Sequence, residues 1–113
     1  MSKVARHHQL RITTGITWRG EYVLGVLEEE GETKTQYLRH VGLGYDIIDT
    51  LNNLERDGYI KIRRPNSKLR LHSLTDLGRE YLQQVTLIYM TPQEQQKEDR
   101  EQREQRERRE QND

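Results

Sequence analysis

Residues 45–64 read YDIIDTLNNLERDGYIKIRR, and their hydrophobic pattern changes from that of a helix to that of a strand. In the first part, apolar residues recur at three- and four-residue steps: Ile47, Ile48, Leu51 and Leu54. This spacing is typical of a helix with one buried stripe and one exposed face. After Gly58, apolar and polar side chains alternate up to Arg64, as they do in a half-buried strand. We therefore predict a helix from Tyr45 to Asp57 that leads directly into a strand.

A second strand is predicted to complete a β-hairpin. Residues 69–74, LRLHSL, alternate again, and Pro65-Asn66-Ser67 before them are typical turn residues. Between Gly58 and Thr75 the chain carries five cations and no acidic residue: Lys61, Arg63, Arg64, Lys68 and Arg70. A flexible basic loop of this kind suits contact with the phosphates of a nucleic acid, although it also suits a solvated surface.

Two helices are predicted before this region and one after it. Thr17 is a plausible N-cap for a first helix that ends at Gly31, with its core side chains at helical spacing: Trp18, Tyr22, Val23, Val26 and Leu27. Thr33 is predicted to cap a second helix, from Lys34 to about Val41, that buries Tyr37, Leu38 and Val41. Gly42-Leu43-Gly44 then reads as a tight turn between helices. Thr75 or Asp76 is predicted to cap a last helix, with an apolar stripe: Leu77, Tyr81, Leu82, Val85 and Ile88.

The two ends of the chain differ from the centre. Residues 1–16 are expected to form an N-terminal arm, either a short strand or extended chain, because Gly15 argues against a helix. Residues 92–113 contain no large apolar side chain and cannot contribute to a core, so they are expected to be disordered or a solvated single helix beginning near Pro92. Residues 17–91 are left as the folded domain.

Composition excludes several classes of function. The chain has 113 residues, which is enough for one core, a formal net charge of zero, and no cysteine. Disulfides, thiolate zinc sites and cysteine nucleophiles are therefore excluded, and a reducing cytoplasm is the expected location. No apolar run reaches the ~18 residues of a membrane span. The histidines, His7, His8, His40 and His72, lack metal-binding spacing, and no catalytic arrangement is visible, so we expect neither a cofactor nor an enzyme.

Two motifs resemble those of a known fold family. Residues 51–60, LNNLERDGYI, resemble the end of a winged-helix recognition helix entering the first wing strand. Residues 74–82, LTDLGREYL, resemble the segment after the wing in MarR- and PadR-like regulators and in archaeal phage repressor-type winged helices. The resemblance covers roughly Thr17 to Tyr89. It implies an α+β winged helix-turn-helix, with three helices, a hairpin wing and a C-terminal helix, here followed by a charged tail.

The resemblance also implies a transcription regulator that binds double-stranded DNA. The third helix would enter the major groove, and its exposed polar residues are the candidates for reading bases: Tyr45, Asp46, Asp49, Asn52 and Asn53. Asparagine can pair with adenine through two hydrogen bonds, and aspartate can accept one from cytosine. Candidates for phosphate contact are the hairpin cations and residues of the helices: Thr33, Lys34, Thr35, Gln36, Arg39 and Arg56.

The last helix is apolar around most of its circumference, although one stripe would suffice to cover a small core. The surplus predicts a partner surface: Leu82, Val85, Leu87, Ile88, Tyr89 and Met90. The expected partner is a second copy, since a two-fold dimer presents two recognition helices to half-sites about one duplex turn apart. One alternative stays open, because the acidic third helix would also suit a winged helix that binds other proteins without contacting DNA.

Overall fold

The computed structural model describes residues 2–43, 47–90 and 92–111. Its elements, in chain order, are α1 (Lys3–Thr14), α2 (Trp18–Glu30), β1 (Thr33–Lys34), α3 (Thr35–Leu38), a π-helical segment (Arg39–Leu43), α4 (Ile47–Arg56), β2 (Ile60–Asn66), β3 (Leu69–Leu74), α5 (Asp76–Tyr89) and α6 (Pro92–Gln111). The strands form an antiparallel sheet in the order β1, β3, β2. The predicted α+β class is confirmed.

The predicted helix and hairpin after residue 45 are present. α4 buries Ile47, Leu51 and Leu54, which is the stripe expected from their spacing. The hairpin turns at Ser67 and Lys68, later than predicted, because β2 continues through Pro65 to Asn66. The strand register is irregular between Arg63 and Asn66. A proline has no N–H to donate and is tolerated in a sheet at such an irregularity.

The predicted boundaries of α2 and the predicted start of α5 are confirmed by their caps. The hydroxyl of Thr17 accepts a hydrogen bond from the backbone N–H of Gly20 at 3.1 Å, and Gly31 follows the helix with φ 76°. The hydroxyl of Thr75 caps α5 by accepting from the N–H of Gly78 at 3.2 Å. These side chains satisfy N–H groups that have no partner within the first helical turn.

The predicted second helix is wrong at its N-cap, and only its first half is α-helical. Thr33 does not cap a helix but lies with Lys34 in β1, which pairs with His72 and Leu71 of β3. The helix that follows has only the four residues of α3 before the π-helical segment. Pairing with the open edge of β3 satisfies the backbone of residues 33 and 34 and overrides the local helix pattern, which only a tertiary contact could decide.

The expectation of a strand or extended arm at the N-terminus is also wrong, because residues 3–14 form the helix α1. Ser2 caps it by accepting from the N–H of Ala5 at 3.0 Å. Gly15, which argued against a helix, marks its end with φ 76° and donates to the carbonyl of Arg11 at 2.8 Å. α1 contains no buried residue, and only Leu10 packs partly against the core. Local capping residues therefore define this helix more than hydrophobic burial does.

One hydrophobic core lies between α2, α3, α4, α5 and the sheet. Its buried members are Ile16, Val23, Leu24, Leu27, Leu38, Ile47, Leu51, Leu54, Ile60, Leu74 and Tyr81. Trp18 and Tyr22, predicted to be in the core, are 60% and 46% exposed, and Tyr37 is also exposed. For these three residues the prediction is wrong. Val23 and Leu27, which were predicted with Trp18 and Tyr22, are buried, and together with Leu24 they form the inward stripe of α2.

The charged tail forms the helix α6. Of the two expectations for the tail, disorder or a solvated helix, the structure agrees with the helix. Grooves between α6 and α5 are lined by Met90 and Gln83 of the α5 region and by Gln102 and Gln105 of α6. None of the described helices is long and apolar enough to cross a membrane. The division into residues 1–16, 17–91 and 92–113 stays a prediction.

Candidate nucleic-acid interface

The exposed face of α4 carries three of the five predicted base-reading residues. Asp49, Asn52 and Asn53 are exposed, and their three- and four-residue spacing places them on one face of the helix, together with Arg56. This face is opposite the buried stripe of α4. Tyr45 and Asp46 lie outside the described residues. An α-helix with its side chains is ~10 to 12 Å across, which matches the ~12 Å width of the major groove.

The start of α3, the helix α4 and the tip of the hairpin converge on a surface cleft of about 380 Å³. The cleft is lined by Lys34, Thr35, Gln36, Arg39, Ile48, Ser67, Lys68, Leu69 and Arg70. Six of these are predicted phosphate contacts, although they come from two stretches far apart in the chain. Pairing of Lys34 with Leu71 in the sheet brings the two stretches together. The cleft therefore concentrates four cations beside Ile48 of α4.

His72 supports the cleft from inside the fold. Its ring is 1% exposed, and its Nε2 lies 2.6 Å from the hydroxyl oxygen of Thr35. Burial lowers the pKa of His72 to about 4, with smaller contributions from Arg70 and Arg64. Its Nδ1 has no hydrogen-bond partner among the described residues. Sequence analysis missed this role, although the position of His72 two residues before the buried Leu74 on a strand was a usable signal.

Some of the predicted phosphate contacts already pair with carboxylates. Arg63 donates to Glu32 from Nε at 3.2 Å and from Nη2 at 2.7 Å. Arg64 lies 3.9 Å from a carboxylate oxygen of Glu55. Arg56 similarly donates to its neighbour Asp57 at 3.1 Å. These three arginines are partly neutralised within the fold.

The other predicted cations are exposed and, within residues 2–43, 47–90 and 92–111, have no carboxylate partner. They are Lys34, Arg39, Lys61, Lys68 and Arg70. Thr33 differs from the rest of the predicted set, because it is 6% exposed and its hydroxyl donates to the carbonyl of Gly31 at 2.8 Å. The structure does not bring Thr33 to the cleft. The five unpaired cations are therefore the side chains best placed to meet an anionic backbone.

The predicted dimer surface on α5 is divided in the structure. Leu82 and Val85 pack partly against the core, whereas Tyr89 is 44% exposed. The remaining predicted residues are half-buried: Leu87, Ile88 and Met90. The C-terminal end of α5 is held by α1, because Arg6 donates to the carbonyl of Ile88 at 3.2 Å.

A polar network centred on Glu21 joins α1, α2 and α5, and sequence analysis did not identify it. Glu21 accepts hydrogen bonds from Arg11 at 2.8 Å and from the hydroxyl of Tyr81 at 2.8 Å, and it contacts His7. Burial opposes the charge on Glu21, but these hydrogen bonds outweigh burial and lower its pKa. His7 continues the network to the hydroxyl of Tyr89 at 2.7 Å. Among the described residues no group of histidines and acids could hold a metal ion.

No family model matches the chain, and no curated protein matches it in sequence. Solved structures are nevertheless similar in fold. YusO of Bacillus subtilis has a TM-score of 0.66 at 17% identity, over 93% of this chain and 84% of that one. AbfR of Staphylococcus epidermidis has a TM-score of 0.64 at 24% identity, over 92% of this chain and 80% of that one.

A structure of reduced AbfR bound to DNA is also similar, with a TM-score of 0.64 at 19% identity over 90% of this chain and 79% of that one. The transcriptional regulator Tm0710 from Thermotoga maritima has a TM-score of 0.62 at 20% identity, over 71% of this chain and 59% of that one. These structural neighbours share the winged-helix fold, and the one from Thermotoga maritima is a transcriptional regulator. The chain described here therefore has the winged-helix fold, with β2 and β3 as its wing.

Proposed function

We propose that this protein is a transcription regulator that binds double-stranded DNA sequence-specifically, with α4 in the major groove and the wing on the adjacent phosphate backbone. One observation carries the proposal: a cleft lined by Ile48 of α4 collects unpaired cations from β1, the π-helical segment and the wing. Ile48, which precedes the first of the exposed polar residues, lines that cleft. The similarity to a regulator solved in complex with DNA supports the proposal.

In this proposal the α4 side chains read base edges. The amides of Asn52 and Asn53 can each form two hydrogen bonds with adenine, and the carboxylate of Asp49 can accept one from the amino group of cytosine. Tyr45 and Asp46 are proposed as further readers at the start of the same helix. Such contacts supply sequence preference, which phosphate contacts alone do not.

The unpaired cations supply the attraction to the backbone. Lys34, Arg39, Lys68 and Arg70 line the same cleft, and together they would hold one stretch of the phosphate backbone beside α4. Gln36 is exposed in the same cleft and can donate from its amide. Because each cation that meets a phosphate releases counterions, binding should weaken steeply as salt increases.

We further propose that the protein acts as a homodimer in the cytoplasm, with the C-terminal end of α5 in the interface. Tyr89 is exposed there, and Val4 of the adjoining helix α1 is 70% exposed. A two-fold axis at this end of the molecule would present two copies of α4 to half-sites one duplex turn, roughly 34 Å, apart. We propose neither a catalytic activity nor a cofactor for this protein.

Salt-dependent binding tests the proposal directly. The full chain is titrated against a labelled mixed-sequence duplex of about 20 base pairs, between roughly 50 and 200 mM salt, and fluorescence anisotropy is measured. We expect the tightest binding at low salt. The variant Lys68→Ala/Arg70→Ala should reduce the magnitude of the slope of log K against log salt by about 2 for each bound protomer, since each protomer loses two phosphate contacts.

The matched control is Lys97→Ala/Arg100→Ala, which removes two exposed cations from α6 instead. It should leave both affinity and slope close to those of the unsubstituted chain. The absence of binding near 50 mM salt would reject DNA as the partner. An equal effect of the two double variants would reject the assignment of the cleft.

Sequence preference is tested by selecting duplexes from a randomised pool. Asn52→Ala or Asn53→Ala should cost about 1 to 3 kcal/mol on the selected duplex and little on a random one. Lys68→Ala should instead weaken binding to both duplexes alike. If the asparagine variants and the lysine variant behave in the same way, α4 does not read bases.

A further inference from the structure

Glu32 holds an arginine of the wing in a two-point contact. The guanidinium of Arg63 in β2 donates from Nη2 to one carboxylate oxygen of Glu32 at 2.7 Å and from Nε to the other at 3.2 Å. Glu32 lies in the short connection between α2 and β1, 31 residues before Arg63. The fork of a guanidinium binds a carboxylate and a phosphate with the same two-point geometry. The carboxylate of Glu32 therefore occupies a guanidinium that could otherwise bind a phosphate.

We propose that Glu32 is a built-in competitor of the DNA backbone, which occupies the Arg63 fork and thereby limits the affinity of the wing for DNA. The proposal rests on the DNA binding proposed above and names a residue that regulates its strength. In the free protein the Glu32 carboxylate cancels the charge of Arg63. On DNA, Arg63 must either leave Glu32 or forgo a phosphate contact.

The position of Arg63 makes it a useful contact once it is released. In the sheet, Arg63 of β2 and Lys34 of β1 both pair with Leu71 of the central strand β3. Side chains directly opposite one another on neighbouring strands lie on the same face, and strands are ~4.8 Å apart. Arg63 is therefore two strands, or roughly 10 Å, from Lys34 at the edge of the cationic cleft. A released Arg63 would add a further cation to the face of the sheet that carries Lys34.

The pair is also placed so that a phosphate can compete with it. The side chains of Arg63 and Glu32 are 62% and 39% exposed, so neither is held by burial. Exposed ion pairs contribute little to stability, because water solvates both charges. The hydrogen bond from Arg63 lowers the pKa of Glu32, so the carboxylate stays charged at neutral pH. A permanent negative charge beside the wing also repels approaching phosphates.

The other acid pairs of this region do not offer the same competition. Arg64 and Glu55 are joined by a single contact of 3.9 Å, which is too long for a hydrogen bond. Asp57 pairs with its neighbour in sequence, Arg56 at the end of α4, and not with the wing. Among the described residues, only Glu32 forms a two-point contact between its carboxylate and a cation of the wing. The inference therefore concerns this residue alone.

The test compares two glutamates of the full chain by anisotropy on the mixed-sequence duplex. Glu32→Gln keeps the shape of the side chain and removes its charge. We expect it to bind DNA about three- to tenfold more tightly near 100 mM salt, with a salt slope steeper by roughly 0.9 for each bound protomer, the value for one added phosphate contact. The matched control is Glu29→Gln, on the exposed surface of α2. It removes the same charge and should change affinity less than about twofold, because salt screens distant charges.

A second background separates release of Arg63 from a general change of charge. With Arg63→Gln already present, Glu32→Gln should change the affinity for DNA no more than Glu29→Gln does, because the chain then has no guanidinium at residue 63 to release. Glu32→Ala, which removes the carboxylate altogether, should act in the same direction as Glu32→Gln in the unsubstituted background. Thermal unfolding of each variant confirms that the fold is retained.

The outcomes distinguish this inference from the proposed function. If the unsubstituted chain does not bind the duplex, the proposed function fails and the inference falls with it. If it binds but Glu32→Gln gains no more than Glu29→Gln, the competitor role alone is wrong. Weaker binding by Glu32→Gln and Glu32→Ala would show instead that Glu32 positions the wing for DNA, which also overturns the inference.

Discussion

The imidazole of His72 and the hydroxyl of Thr35 lie 2.6 Å apart, although 37 residues separate them in the chain. The contact joins the central strand of the sheet to the start of α3, directly behind the cationic cleft. The ring is almost completely buried, and burial, assisted by Arg70 and Arg64, lowers its pKa to about 4. The fold therefore requires a neutral histidine at this position, and its stability depends on pH.

His72 should make the protein less stable in weak acid. A histidine in the unfolded chain has a pKa of 6.5, and His72 in the folded chain has a pKa of about 4. Above pH 6.5 both forms are neutral and the contribution is fully present. Between pH 6.5 and 4 the unfolded chain binds a proton that the folded chain does not, so the free energy of unfolding falls by up to about 1.4 kcal/mol per pH unit.

The variant His72→Gln keeps a hydrogen-bonding side chain beside Thr35 but cannot be protonated. Urea unfolding from pH 7.5 to 4 should therefore show a shallower loss of stability in this variant than in the unsubstituted chain. His8→Gln, at an exposed position on α1, should leave the pH profile nearly unchanged. Parallel profiles for the unsubstituted chain and His72→Gln would contradict the assignment.

Two glycines inside helices should respond to alanine in opposite directions. A Cβ added at Gly78 would lie 2.7 Å from Cδ1 of Leu74 and closer still to the carbonyl oxygen of Tyr59. Gly78→Ala should therefore lower the free energy of unfolding by about 1 to 3 kcal/mol, because the backbone contact cannot yield easily. At Gly25 a Cβ would meet nothing within 4 Å. Gly25→Ala should raise stability by about 0.5 to 1 kcal/mol through helix propensity.

Urea unfolding midpoints measure both glycine variants under one set of conditions. The two substitutions add the same methyl group to an α-helix, so a difference of sign isolates the effect of packing. Equal effects would mean that α5 does not approach Tyr59 as closely as described.

Loss of the charge on Glu21 should loosen α1. Glu21→Gln cannot form the ion pair with Arg11, and its amide cannot accept from Arg11 and Tyr81 as a carboxylate does. Because Glu21 is only 17% exposed, we expect a loss of about 1 to 3 kcal/mol. Hydrogen exchange should quicken most in α1, which has no buried residue of its own. Glu29→Gln is the exposed control, and equal exchange in the two variants would refute a structural role for the network.

The proposed dimer should depend on the end of α5. Leu87→Arg places a charge on the half-buried apolar surface there, and we expect the protein to sediment as a monomer at concentrations where the unsubstituted chain is a dimer. Leu77→Arg introduces the same charge at an exposed site near the start of the helix, and it should leave the dimer intact. Sedimentation velocity measures both variants. A monomeric unsubstituted chain would reject the dimer.

Much of the fold follows from local patterns. The spacing of Ile47, Leu51 and Leu54 predicted both the buried stripe of α4 and its exposed polar face. Thr17 and Thr75 predicted the starts of two helices through hydrogen bonds that span only three residues. Such features are readable because the groups that satisfy one another are close in sequence.

Other features depend on contacts between distant parts of the chain. The sequence alone determined that a polar helix is followed by a basic hairpin, since periodicity and charge are properties of consecutive residues. Only the tertiary structure decided that Thr33 is buried and pairs with His72 in the sheet, and that Arg63 donates to a carboxylate. Both contacts depend on which backbone edge or which opposite charge comes within a few ångströms when the chain folds. The local sequence pattern does not indicate which distant residues will come that close.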